Sequence, residues 1–599
     1  MGSEHSVHGR LGSGDTPEAP AGGHEEGESL DRRTFLGLAS AAGVAVAAPA
    51  VRLAPRTASS ALRDEFSRES TFRTPAGWYG APIHSTLMPS GHLLLMGYQR
   101  PTNHPTDATV TDPLAWLMPA PVPRLSSEYH LTPLAEPLQD VDAVSDGVYR
   151  NDDLFCAGHT LTSDGVFFSA GGTRNARQEP SLDLIAVTGL DYATMFNGRH
   201  WRRVRHHMVG KGATGHPNRW YPTVTRLPDG RLLVTSGFDL VIPTPSVNRS
   251  IEAFDPATGS FELLAPFPEL PAVAMASDYT HVFVLPFRSP ADVVMFGEPG
   301  IPVFFSLTTT PAFAPQEQEP RPETEAWQAE REKNGNHWIS DTAPGEGAST
   351  AMLPLYPSAH TAYSSGSVSL YGGPLGSKWM RHFDVFDPWK SSWHTTVHTK
   401  VARSNPAQVM LPDGNVALVN GHSDDPNIGK VELVDTINGF ETRLGQADCH
   451  QQRGYHNVAT LLPDGSVFVA GGRSLETPTS FEKPTFRYWY PPYMKAARPR
   501  ILDAPARIGH GAGFSVTVDA RDHVGEIVLV ALGSMTHCID MNQRVVRCKV
   551  QHVSLESRDR YVVEATGPHD TRVAPAGDYM LFAVDTGRVP STAVFVRVA

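Results

Sequence analysis

The chain has 599 residues, 40% of them hydrophobic, and a net charge of −13. That length exceeds one ordinary core, the apolar fraction fits a globular rather than a disordered chain, and the lack of a strong basic run in the mature part disfavours nucleic-acid binding. Glycine (52) and proline (51) are abundant, as a turn-rich β protein needs, and four cysteines are too few for a disulfide-dense scaffold.

Residues 1–30 read as a disordered polar lead rich in Gly, Glu and His. In residues 31–60, Asp31-Arg32-Arg33-Thr34-Phe35-Leu36 precedes a mildly apolar, Ala- and Gly-rich run ending near Ala48-Pro49-Ala50. Paired arginines before such a run look like a twin-arginine export signal, with a retained membrane anchor as the alternative. Later segments are too short or too polar to span a bilayer.

Residues 61–497 carry a repeat: an apolar stretch, a tight turn with Gly, a second β-rich stretch, then Gly or Gly-Gly. Copies begin near His84, His159, Pro222, His281, His360, Pro406 and Asn457. The Asp-Gly and Ser-Gly pairs tolerate the positive φ of hairpin turns, and the flanking Val, Leu and Phe suit buried strands. Outer-strand signals such as Ala253-Phe254-Asp255 and Phe386-Asp387-Pro388 lie between copies. One four-stranded sheet per copy predicts an all-β, seven-bladed kelch-like β-propeller. A charged insertion, Gln316 to Lys333, reads as a solvated loop. From about Arg498 the pattern changes to short strands around Gly513, Gly525, Tyr561, Asp578 and Ser591, which predicts a C-terminal immunoglobulin-like β-sandwich over 498–599.

Three unusual residues share one offset in the repeat. Cys156, Tyr221 and His456 each lie eight residues before the Asp of a turn (Asp164, Asp229 and Asp464), with Tyr455 beside His456. Equivalent positions of a repeat occupy equivalent places, so a thiol, two phenols and an imidazole are expected on one rim. That mixture suits a redox metal, copper above all. Tyr455 and His456 can reach one metal together only from an irregular backbone, for which Gly454 provides. In the sandwich region, His537 of Met535-Thr536-His537-Cys538 precedes a hairpin and could supply a second imidazole on a loop. Taken singly, such a Cys is usually a buried apolar residue and such a Tyr or His is usually packing; the shared register argues for a common role. His159 and the Cys449-His450 pair are read as structural, and Cys538 with Cys548 as a candidate disulfide.

The segments Phe155-Cys156, Arg219-Trp220-Tyr221-Pro222, Tyr455-His456 and Met535-Thr536-His537, in this order from about residue 70 to the C-terminus, resemble the copper radical oxidases. That family includes galactose oxidase, glyoxal oxidase and bacterial relatives. The resemblance implies one copper ion held by Tyr221, Tyr455, His456 and His537. Tyr221 would be joined to Cys156 by a thioether that lets it hold a radical, and Tyr455 would act as general base. It implies oxidation of an alcohol or aldehyde, with O₂ reduced to H₂O₂, by an exported enzyme that is extracellular, cell-wall or membrane-associated. A small aldehyde or a cell-surface glycan is the expected substrate, and a copper chaperone is a candidate partner. The family's Trp stacked over the thioether has no match at Gly237-Phe238-Asp239, leaving Phe238 or Trp379 as substitutes. The rival readings are a non-catalytic glycan-binding or assembly scaffold with a relict site, and a copper protein without radical chemistry.

Overall fold

A computed structural model describes residues 65–599, apart from internal stretches of which 101–111, 135–147, 265–278, 306–315, 318–346 and 474–481 are the longest. The lead and the export signal lie outside the described residues. The described chain is nearly all β, with a single 3₁₀ turn at Pro492–Lys495. Among the described residues no helix is long and apolar enough to cross a membrane.

The repeat becomes a succession of antiparallel sheets. Gly158–Leu161, Phe167–Ala170, Ala193–Phe196 and Trp201–Arg203 form one; Thr223–Arg226, Leu232–Thr235, Ile251–Asp255 and Ser260–Leu263 form the next. Ala407–Met410, Asn415–Val419, Glu432–Asp435 and Glu441–Leu444 repeat the plan. In each, the Gly-containing turn joins the first two strands, whose side chains are almost entirely buried. The last repeat, Asn457–Leu461, Val467–Gly471 and Thr485–Trp489, gains the strand Ser70–Arg73 from the start of the described chain, with Ser70 opposite Phe486.

Two repeats depart from the sequence pattern. The fifth does not begin near His360, which lies outside the described residues: its first strand is Ala348–Met352, paired across a long connection with Val368–Gly372. The expected insertion begins inside the fourth sheet, where Gln316–Glu317 pairs with Pro302–Phe305; residues 318–333 lie outside the described residues. An additional five-stranded sheet of Val148–Asp153, Thr173–Gln178, Asp183–Gly189, Phe238–Ile242 and Ser246–Val247 is built from loops between repeats, which the repeat pattern could not reveal.

From Arg500 onward two further sheets form. One orders Arg500–Asp503, Gly513–Asp519, Arg560–Thr566 and Lys549–Ser557; the other orders Arg507–Ile508, Val594–Val598, Gly577–Asp585, Val524–Ala531 and Val545–Arg547. Ile527, Leu529, Val546 and Leu581 share a core with Phe283, Val294, Leu355 and Phe386 of the fourth and fifth repeats. Apolar area removed from water this way contributes about 25 cal/mol per Å². Between the second and third long strands of this region, the hairpin Ser534–Thr536/Ile539–Asp540 leaves its own sheets. It pairs with Tyr79–Leu87 of the first repeat, His84 opposite Thr536 and Thr86 opposite Ser534. That pairing carries His537 into the repeats.

Cys538 and Cys548 do not pair: both are free and buried. Cys538 turns the inserted hairpin in the core of the repeats, whereas Cys548 lies in the core shared with the C-terminal sheets. Burial pushes each thiol up to about 12.

Candidate metal centre

Cys156, Tyr221 and His456 each adopt a left-handed backbone, with φ of 61°, 63° and 68°. Cys156 and Tyr221 stand two residues ahead of their first strands, and His456 one residue ahead of Asn457–Leu461. A left-handed residue turns the chain sharply, so the side chain leaves the strand direction rather than alternating with it. Such a conformation costs of order 1–3 kcal/mol in a non-glycine residue and persists only where the surroundings enforce it.

Buried arginines brace the chain beside Tyr221 and His456. Arg219 Nη1 donates to the carbonyl of Ser236 at 2.7 Å, and Arg453 Nη1 donates to that of Gly471 at 2.6 Å. Ser236 directly follows the strand Leu232–Thr235 and Gly471 ends the strand Val467–Gly471, both at positive φ. Arg219 is also paired at 2.8 Å with Glu252, both fully buried. Gly454 permits a close approach, since a Cβ there would lie 2.8 Å from the carbonyl oxygen of Arg473. The Tyr221 N–H donates to the Cys156 carbonyl at 2.9 Å, which ties the two neighbouring repeats together at this point.

The predicted residues gather. Cys156 Sγ and the ring nitrogens of His456 and His537 all lie within 4.8 Å of one another. The His456 and His537 rings are 4.5 Å apart; Tyr221 lies 5.0 Å and Tyr455 5.1 Å from His537. The hydroxyls of Tyr221 and Tyr455 are hydrogen-bonded. Cys156 is fully buried and Tyr221, His456 and His537 nearly so, while Tyr455 is half-buried.

Each imidazole is oriented through Nδ1. His456 Nδ1 donates to Glu482 Oε1 at 2.6 Å. His537 Nδ1 meets Thr536 Oγ1 at 2.6 Å, and because that hydroxyl donates to the Ile83 carbonyl, it accepts from the imidazole. In both rings this leaves the lone pair on Nε2, and both Nε2 atoms are buried without a hydrogen-bond partner. An orphaned buried acceptor is costly, and two converging on the same place fit a cation. Burial holds both imidazoles well below their ordinary value, with the neighbouring Arg473 adding to this, so they are neutral as ligands must be. Burial also pushes the Glu482 carboxyl up to about 7.

Sequence reasoning missed Glu482, which carries no motif, and gave no role to Thr536, although it stands in the segment Met535-Thr536-His537. It also missed the structural arginines, which do leave a signal: Arg219 precedes Tyr221 and Arg453 precedes Tyr455 by two residues. His159 is structural, as expected: it is fully buried, with Nε2 at 3.0 Å from His84 Nδ1 and Nδ1 at 2.6 Å from Ser534 Oγ. Cys449 is buried, its thiol donating to the Gln451 carbonyl. Of the candidate stacking rings, Phe238 packs on Trp220 at 5.9 Å, and Trp220 meets Tyr221 at 4.1 Å with the planes 66° apart. The Trp379 side chain lies outside the described residues.

Known proteins are similar to parts of this chain. Residues 498–598 match the family described as galactose oxidase-like, early set domain. Aldehyde oxidase GLOX1 of Arabidopsis thaliana is 29% identical over 35% of this chain and 38% of its own length. Aldehyde oxidase GLOX of Vitis pseudoreticulata is 31% identical over 32% of this chain and 40% of its own length. Galactose oxidase of Gibberella zeae is 27% identical over 33% of this chain and 29% of its own length. The chain thus matches less than half the length of these curated relatives. In three dimensions it is similar to a fungal alcohol oxidase of the AA5 family in complex with copper, with a TM-score of 0.63 and 18% identity over 89% of this chain and 99% of that one, which shows the fold. The sequence matches thus run to a galactose oxidase-like family model over the C-terminal region and to aldehyde and galactose oxidases over about a third of the chain.

Proposed function

We propose that the protein is an exported copper radical oxidase that converts an alcohol or aldehyde with reduction of O₂ to H₂O₂. The observation that carries this reading is the pair of buried, unpartnered Nε2 atoms of His456 and His537 beside the hydrogen-bonded phenols of Tyr221 and Tyr455. Two neutral imidazoles with oxygen donors suit copper in its oxidised state. The strand Ser70–Arg73 paired into the last repeat supports the wider architecture proposed here, a seven-bladed propeller over 61–497 with a sandwich over 498–599.

In this reading His456, His537, Tyr221 and Tyr455 hold one copper ion. Copper, when bound, supplies a one-electron acceptor and an open place for a substrate oxygen. The chain's residues do the rest. Cys156 Sγ bonds to the Tyr221 ring; the thiol and the ring each give up a hydrogen, which O₂ accepts as H₂O₂. The sulfur-substituted phenol is easier to oxidise and holds the second oxidising equivalent. Tyr455 Oη, on the half-buried side, accepts the substrate hydroxyl proton as general base. Tyr221 takes the hydrogen from carbon. Over a turnover the substrate loses two electrons and two protons, and O₂ gains them. Aldehyde oxidases among the relatives favour a small aldehyde or alcohol substrate.

One observation favours a second reading, a copper protein without radical chemistry. The rings of Trp220, Tyr279 and His537 meet Tyr221 edge-on, at 66°, 90° and 89°. Intact mass under reducing conditions separates the two. After incubation with Cu(II) and air, the protein is expected to be lighter by two hydrogens, and the Cys156→Ser variant unchanged. Cys156→Ser is expected to keep much of its copper binding and lose most H₂O₂ release. An unshifted wild-type mass, with Cys156 still open to alkylation after denaturation, would overturn the radical reading.

A further inference from the structure

The two imidazoles at the site have unlike partners. His537 Nδ1 donates to a neutral hydroxyl, that of Thr536, which is adjacent in sequence. His456 Nδ1 donates to the carboxyl of Glu482, which lies 26 residues further along the chain. Both His456 and Glu482 are about 5% exposed. Burying a carboxylate costs several kcal/mol unless close partners compensate.

The fold nevertheless takes trouble to put it there. The His456 carbonyl accepts from the N–H of Gly472, and the Gly472 carbonyl accepts from the N–H of Lys483, next to Glu482. The backbone around Glu482 is thus tied to that of His456 through a single glycine. Gly472 has φ 77°, and a Cβ there would lie 2.8 Å from Arg453. No side chain larger than hydrogen fits where the two segments meet. His456 is thereby held from two directions, its backbone by Gly472 and its ring by Glu482.

We propose that Glu482 is a positioning residue of the metal centre, fixing the ring of His456 with Nε2 toward the metal and making His456 a stronger donor than His537. A carboxylate behind a metal-bound imidazole sets the tautomer and raises ligand basicity, and its loss typically costs about 10–100-fold in metal affinity. The proposal rests on the copper reading above. It adds that the two imidazole ligands are unequal, with the acid on the ligand next to Tyr455, the candidate base.

The test uses the full chain with Cu(II), read by chelator competition and by electron paramagnetic resonance rather than by turnover. Glu482→Gln keeps the size and an acceptor oxygen but removes the charge. It is expected to bind Cu(II) about 10–100-fold more weakly with a changed copper hyperfine pattern, while the metal-free melting temperature stays close to wild type. Glu482→Asp, which restores the charge on a shorter arm, is expected to recover part of the affinity. Thr536→Val, which removes only a neutral partner, is expected to lose less than Glu482→Gln. If wild type binds copper and Glu482→Gln matches it within about twofold and in spectrum, the positioning role is wrong although the copper reading stands. If the metal-free Glu482→Gln protein melts far below wild type and Glu482→Asp does not recover affinity, the carboxylate is structural and the proposal falls. If wild type itself binds no copper, both readings fall together.

Discussion

The third and sixth repeats are built alike, yet only the third brings a residue to the proposed metal centre. Tyr221 and Asn405 both lie eight residues before the Asp of a Pro-Asp-Gly turn and both are left-handed, at 63° and 49°. A buried arginine stands two residues before each, Arg219 and Arg403, and donates to the carbonyl of Ser236 or Asn420 at the end of the second strand. A buried glutamate on the third strand completes each set: Glu252 accepts from the N–H groups of Val209 and Gly210, and Glu432 from those of Lys400 and Val401. At the position itself the likeness ends. Tyr221 sends a phenol to Tyr455, whereas the Asn405 amide oxygen accepts from Ser404 Oγ. Offset and backbone are therefore devices of the fold, and the chemistry lies in which residue fills the place.

The largest effect expected from this comparison follows removal of the arginines. Arg219→Met leaves Glu252 buried without its partner, and loss of one member of a buried pair costs about 3–5 kcal/mol. Arg403→Met is expected to destabilise by a similar amount, read from urea unfolding of the metal-free protein. Copper affinity separates the two variants. It is expected to fall in Arg219→Met, where the loosened backbone carries Tyr221, and to hold in Arg403→Met while that protein stays folded. Equal losses of affinity would mean that the sixth repeat also shapes the metal centre.

The sequence made the strands and the gathering of Cys156, Tyr221 and His456 legible, because hairpin turns with Gly and a fixed offset repeat along the chain, whereas Tyr455 and His537 are added by the family resemblance. It did not make the offset diagnostic: Asn405 shares it, yet its side chain bonds Ser404 and the Cys538 thiol rather than joining the ligand cluster. Two kinds of residue stayed hidden for physical reasons. Glu482 acts through a contact 26 residues away that no periodicity encodes. The fifth repeat's first strand, Ala348–Met352, is separated from its partner Val368–Gly372 by a long connection, so a short-hairpin template aligned it on the wrong segment. The pairing of Cys538 with Cys548 was suggested by proximity in sequence, and the inserted hairpin takes the two thiols into different cores.

The histidines around the centre extend the comparison to pH. His159 is fully buried and depressed by burial to about 3, and His84 beside it is also held low. The unfolded chain binds a proton at each imidazole near pH 6.5 while the folded one does not. Stability present above pH 6.5 is therefore lost as pH falls toward the folded value, by about 2 kcal/mol per such histidine at pH 5. Urea midpoints of the metal-free protein from pH 7.5 to 5 are expected to fall more steeply in wild type than in His159→Gln. Equal slopes would show that His159 is protonated in the folded state, and the His84–His159 contact would then have to be drawn differently.

The smallest effect tests the comparison most directly. A left-handed conformation costs about 1–2 kcal/mol in an ordinary L-residue, and asparagine tolerates it better than most. Asn405→Ala keeps the backbone contacts of this position, where the N–H donates to the Gly347 carbonyl and the carbonyl accepts from Asn457 Nδ2. It removes the tolerance, the bond from Ser404 and the side-chain contact with the Cys538 thiol. The variant is expected to lose about 1–2 kcal/mol of stability in urea and to bind Cu(II) as wild type does, with an unchanged resonance spectrum. Asn405→Gly, which suits the left-handed backbone without a side chain, is expected to regain most of that loss. If copper binding follows stability down in Asn405→Ala, the sixth repeat holds the centre as firmly as the third does. The division between a repeated backbone device and a local chemistry would then fail at the one position where the two repeats differ most.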